Sequence, residues 1–147
     1  MRRFLVVANQ TLGSGELIAA LRRRMAESSC DFHFVVPPTL ASGRRGGDPG
    51  YLGPPADEDT KELVQRRLDG ELNWLRQAGV HVTGEVGPTD PIQAVSGVLA
   101  TRNDIDEIIV ATFPRGASRW LHLDLVNRIK RQSQLPVTHV ECQRPEV

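Results

Sequence analysis

Apolar residues along this chain fall into blocks that alternate between strand-like and helix-like spacing, and few folds accept that alternation. Phe4 to Ala8 is a continuous apolar run, as expected of a strand buried on both faces. Ser14 is placed to cap a helix on which Leu17, Leu21 and Met25 mark one face, with Ile18 beside it. Phe32 to Val36 reads as a second strand. Val64, Leu68, Leu72 and Leu75 mark a second helix, opened by the acidic Asp57-Glu58-Asp59 and ended by Gly79. Val80 to Val86 reads as a third strand. Asp90-Pro91 supplies a cap and then a proline in the first helical position, and Ile92, Val95 and Leu99 form that helix's inner face. Ile108 to Val110 is a fourth strand, Trp120 to Arg131 a helix, and Pro136 to Glu141 a fifth strand. The order β-α-β-α-β-α-β-α-β predicts an α/β fold: a doubly wound parallel sheet with right-handed crossovers and helices on both faces. Ligands of such sheets bind beyond the carboxyl ends of the strands, where strand order reverses. That points to Ala8 to Thr11, Val36 to Pro38 and Thr112 to Arg119.

The chain's 147 residues suit one domain with a real core. Residues 37–57 (PPTLASGRRGGDPGYLGPPAD) interrupt the pattern with a Gly/Pro-rich stretch lacking any hydrophobic period. It is either a flap over the site or a disordered insertion, and its composition favours disorder. Eighteen basic residues balance 18 acidic ones, so no global field draws the chain to nucleic acid or anionic lipid. Arg22-Arg23-Arg24 sits near a helix end and reads as solvated. No apolar run approaches membrane-spanning length, and the run after Met1-Arg2-Arg3 is too short for a signal peptide. Cys30 and Cys142 stand in no paired framework, which suits a reducing cytoplasm.

At this point the chain resembles the universal stress protein family. Val6 to Thr11 looks like that family's opening strand and the turn after it. Asp106 to Val110 looks like its fourth strand, Leu135 to Val140 like its closing Cys-Pro-Val strand, and Gly84 to Val95 like the entry into its third helix. The resemblance spans nearly the whole chain outside residues 37–57. It implies a five-stranded parallel sheet of order 3-2-1-4-5, of the adenine nucleotide alpha hydrolase-like kind. It also implies a homodimer through the edge strand Val137 to Glu141.

ATP-binding members carry a glycine after strand four, another three residues on, and a Gly-Ser or Gly-Thr pair ten residues later. Aligned on Val110, those places hold Ala111, Pro114, Asp124 and Leu125. Proline offers a phosphate no N–H, an aspartate near a helix start repels polyphosphate, and leucine lacks the hydroxyl. The resemblance therefore implies the branch that does not grip ATP in the usual way, with ATP and AMP disfavoured as cofactors. Asn9 replaces the family's acidic residue at strand one and keeps hydrogen-bonding capacity. Arg115, Gly116, Ser118 and Arg119 lie in one loop that could form an anion-binding nest, with two arginines as charge-assisted donors. The plainer and preferred reading is that Gly116 turns the chain, Ser118 caps a helix and the arginines are solvated.

Catalytic and metal constellations fail on spacing. Ser118, His122 and Asp124 crowd one segment without a nucleophile elbow, and Asp124 does not face His122. His139 and Cys142 face opposite sides of a strand, and His33 and His81 have no acid in ligand spacing. Gly13 and Gly15 only faintly echo a dinucleotide loop, with no acidic residue after Phe34-Val35-Val36. Trp74 lies off its helix's inner stripe and Trp120 at a helix entry. With aromatics at 5%, neither reads as a base-stacking platform.

The sequence thus describes a cytoplasmic regulatory or binding protein rather than an enzyme, with no catalytic and no metal residues and no nucleic-acid or membrane partner. Its ligand-binding candidates are Ala8, Asn9, Val35, Val36, Thr112, Arg115, Gly116 and Ser118. Two alternatives stay open: a nucleotide binder or slow ATP hydrolase with a shifted phosphate loop, and a ligand-free protein scaffold.

Overall fold

A computed structural model describes residues 1–8, 13–38, 58–112 and 123–142. Asn9, most of the insertion (39–57), and Arg115, Gly116, Ser118 and Trp120 lie outside the described residues. The elements run β1 Arg2–Val7, α1 Gly15–Glu27, β2 Cys30–Val36, α2 Glu58–Gln77, β3 Val82–Val86, α3 Pro91–Thr101, β4 Glu107–Thr112, α4 Leu123–Ser133 and β5 Val137–Glu141. The strands form one five-stranded sheet of order β3-β2-β1-β4-β5, parallel throughout. No helix among the described residues is long and apolar enough to cross a membrane.

Alternation along the central strands builds two cores. Phe4, Val6, Phe32, Phe34 and Ile109 meet Leu17 and Leu21 of α1 and Leu68, Leu72 and Leu75 of α2 on one face. On the other, Leu5, Val7, Val35, Ile108 and Val110 meet Ala94, Val95 and Val98 of α3 and Leu125, Val126 and Ile129 of α4. Strands covered on both sides need the unbroken apolar runs that the sequence shows.

The caps fall where the residue types direct them. Ser14 accepts a hydrogen bond from Leu17 N at 3.1 Å, and Asp90 accepts one from Ile92 N at 2.9 Å with Pro91 inside the first turn. Gly79 ends α2 in the left-handed region (φ +89). Val80 N bonds to Leu75 O and Gly79 N to Arg76 O, each at 3.0 Å, which together make a Schellman closure. This corrects the expected start of β3. Val80 is spent on closing the helix and packing near Leu75, so the strand begins at Val82.

Two further expectations are corrected. The inner face of α3 is wider than expected: Pro91, Ala94 and Val98 are buried beside Val95, while Ile92 and Leu99 are partly buried and pack against the same core. The small Ala94 lies where a Cβ on Gly87 would come within 3.2 Å, so close packing against the loop after β3 selects the stripe. Arg24 is not a solvated helix end. Its guanidinium donates to Glu107 Oε2 at 2.8 Å and to Thr138 Oγ1 at 2.9 Å.

Candidate functional site

Strand order reverses between β1 and β4. The chain leaves β1 toward α1 on one face and leaves β4 toward α4 on the other, so the topological switch point of the sheet lies between Ala8 and Thr112. The structure brings together four of the sequence-chosen residues here: Ala8, Val35, Val36 and Thr112. All four are buried. Asn9, Arg115, Gly116 and Ser118 lie outside the described residues.

The backbone at this end is already partly engaged. Val35 O accepts from Ala8 N at 3.4 Å, and Val36 O accepts from Gly87 N at 3.0 Å. Each carbonyl keeps a second lone pair for a ligand donor. Gly87 is there for size: a Cβ would sit 2.9 Å from Val35 Cγ2. Thr112 is 1% exposed and committed to the edge strand. Its Oγ1 lies 2.6 Å from His139 Nε2, and its carbonyl accepts from Cys142 N at 2.7 Å.

The turn entering α1 forms another rim. Gly13 takes φ +81, and a Cβ there would lie 3.0 Å from Glu71 Oε2, so the carboxylate of α2 covers it. Ser14 Oγ, already the α1 cap, donates to Cys142 Sγ at 3.0 Å and so ties α1 to the end of β5. Cys142 is buried, and loss of water around it raises the thiol above its ordinary 9.0, against a smaller lowering by the Ser14 hydrogen bond.

The thiol is therefore held neutral, which weakens it as a nucleophile. Alkylation of Cys142 by iodoacetamide at pH 8, mapped by mass spectrometry, is expected to run about tenfold or more slower than in the urea-unfolded chain. Because the folded chain holds this proton more tightly than the unfolded one, the associated stability is complete below pH 9.0 and falls as pH rises beyond it. Equal alkylation rates in the two states would refute the buried, neutral thiol.

Two described concavities lie elsewhere. A groove of about 320 Å³ runs between α1 (Ala19, Ala20, Arg23) and β5 (Thr138, Val140), away from Ala8 and Val36. A row on the α3 face was not evident from sequence spacing. His33 Nδ1 lies 2.7 Å from Thr83 Oγ1 and its Nε2 lies 2.8 Å from Glu85 Oε2. The carboxylate that His33 lacked in sequence arrives from the neighbouring strand, through the parallel register His33↔Thr83 and Val35↔Glu85. The connectivity is nucleophile, base and acid, but Thr83 and Glu85 are exposed and line neither described concavity. Among the described residues no group of three or more His, Cys, Asp or Glu could hold a metal ion. No protein-family model matches the chain, and no curated protein matches it.

Proposed function

We infer that this chain is a universal stress protein-like regulatory or binding protein of the cytoplasm. Its ligand crevice lies between β1 and β4, and it does not hold ATP through the usual phosphate loop. One observation carries the reading: the parallel order β3-β2-β1-β4-β5 puts a strand-order reversal at Ala8 and Thr112, the place the resemblance assigns to a ligand. The chemistry of the chain supports the rest. In the sequence, Ala111, Pro114, Asp124 and Leu125 stand at the positions where a phosphate grip needs glycines and a hydroxyl. Asn9 would hydrogen-bond a small ligand, free lone pairs on Val35 and Val36 would meet its edge, and Arg115 an anionic group. The edge strand β5, paired with β4 on one side, would join a second copy through its other side.

Calorimetric titration of the purified chain with ATP, AMP and cyclic AMP tests this. ATP is expected to bind no tighter than about 1 mM, near −4 kcal/mol. Micromolar ATP binding that disappears in Arg115→Ala would replace this reading with the shifted-loop nucleotide binder. Native mass spectrometry of the freshly purified chain would identify a small molecule already seated in the crevice.

A further inference from the structure

The outer shoulder of α2 carries a pattern that the described part of the fold does not use. Leu63 and Trp74 are 56% and 50% exposed. They lie about three turns apart, about 16.5 Å along the axis, on one stripe of the helix. Between them on that stripe come Arg67 and Gly70. Glycine weakens a helix interior, yet a Cβ at Gly70 would meet nothing within 4 Å, so no neighbour among the described residues requires it. Beside Trp74 a dimple of about 90 Å³ opens between α1 and α2, walled by Ile18, Met25 and Val80. Among the described residues Arg67 and Glu71, four apart, form no ion pair with each other, whereas Arg66 pairs with Glu62.

This order is self-complementary. Placed antiparallel against a second α2 about a two-fold axis between positions 68 and 69, Leu63 meets Trp74 of the partner subunit and the dimple beside it. Arg67 lays its stem across Gly70 of the partner subunit and reaches toward Glu71 of the partner subunit. Symmetry makes each contact twice, which is the condition for an isologous interface. Small residues at a crossing let two helices approach closely. We propose that α2 is a homodimer interface, with a second copy of this chain as the occupant of the Leu63–Trp74 face. It lies beside β3, at the opposite sheet edge from β5, and does not depend on the function proposed above.

Sedimentation velocity on the full chain between about 5 and 200 µM tests the proposal, since a two-helix contact sits at the small end of stable interfaces. The chain is expected to associate. The double variant Leu63→Glu/Trp74→Glu should halve the oligomer without lowering Tm, because both side chains are exposed. Glu141→Pro removes an outward N–H of β5, since Cys142 N points inward to Thr112 O, and serves as the control for the other edge. A dimer that Glu141→Pro leaves intact and the α2 double variant dissolves supports the proposal, as does a tetramer that either variant reduces to a dimer. A chain monomeric throughout overturns it. So does a dimer that survives the α2 double variant, and if Glu141→Pro then dissolves that dimer, the β5 pairing stands alone. Separately, Gly70→Cys is expected to cross-link with a short bismaleimide and Lys130→Cys on α4 is not. The native thiols are buried and give no background. Equal cross-linking at both positions, or none at Gly70→Cys, counts against the interface.

Discussion

Glu107→Ala is expected to cost the chain about 3–5 kcal/mol, the range for removing one partner from a buried charge cluster. Glu107 is 6% exposed at the start of β4. Its Oε1 accepts from Arg2 at 2.8 Å, and its Oε2 accepts from Arg24 and from Thr138 Oγ1, both at 2.8 Å. Thr138 in turn accepts from Arg24 at 2.9 Å, so four side chains from β1, α1, β4 and β5 share one network. Alanine would leave the Arg24 guanidinium, with a side chain only 23% exposed, beside a void with no countercharge. Glu107→Gln keeps the shape and one acceptor, and should cost less, about 1.5–3 kcal/mol. Against a total of about 5–15 kcal/mol, either loss is large. Urea titration should show a lower midpoint at unchanged m for both variants. A loss below about 1 kcal/mol for alanine would mean that water already screens the arginines.

That network marks the boundary of what the amino-acid order discloses. Unbroken apolar runs at Phe4 to Ala8 and Ile108 to Val110 could only be central strands, and both are. Ser14, Asp90-Pro91 and Gly79 act locally, within a turn of the chain, and each caps or closes its helix as its chemistry directs. What stayed hidden depends on register between strands. Glu107 reads in sequence as the polar flank of a strand; only the β1–β4–β5 register delivers Arg2 and Thr138 to it. The same holds for His139 reaching Thr112, and for Glu85 reaching His33. Arg24 looks like its exposed neighbours Arg22 and Arg23, because its single inward angle on α1 carries no local signature. The order of elements locates the switch point of the sheet, whereas whether the backbone there is free or engaged follows only from the contacts of Ala8 and Gly87.

Phe4→Ala is expected to be as damaging, about 3–5 kcal/mol, and to reveal that the apolar core and the charge network are one structure. Phe4 is fully buried and stacks on Phe32 with centroids 5.2 Å apart. The Arg2 guanidinium sits 5.0 Å from its ring centre and that of Arg24 5.9 Å, so the two cations bound by Glu107 also rest on this ring. Each cation–ring contact contributes about 0.5–1 kcal/mol, a minor part of the loss from emptying the site. Phe4→Leu separates the parts: it fills most of the volume, removes the ring face, and should cost about 1–2 kcal/mol. Combined with Glu107→Gln, the leucine variant should depart from additivity by about 0.5 kcal/mol or more, because both changes act on the same two arginines. Additive losses in that double-mutant cycle would mean that Arg2 and Arg24 are held by the carboxylate alone and that the ring beneath them is ordinary core.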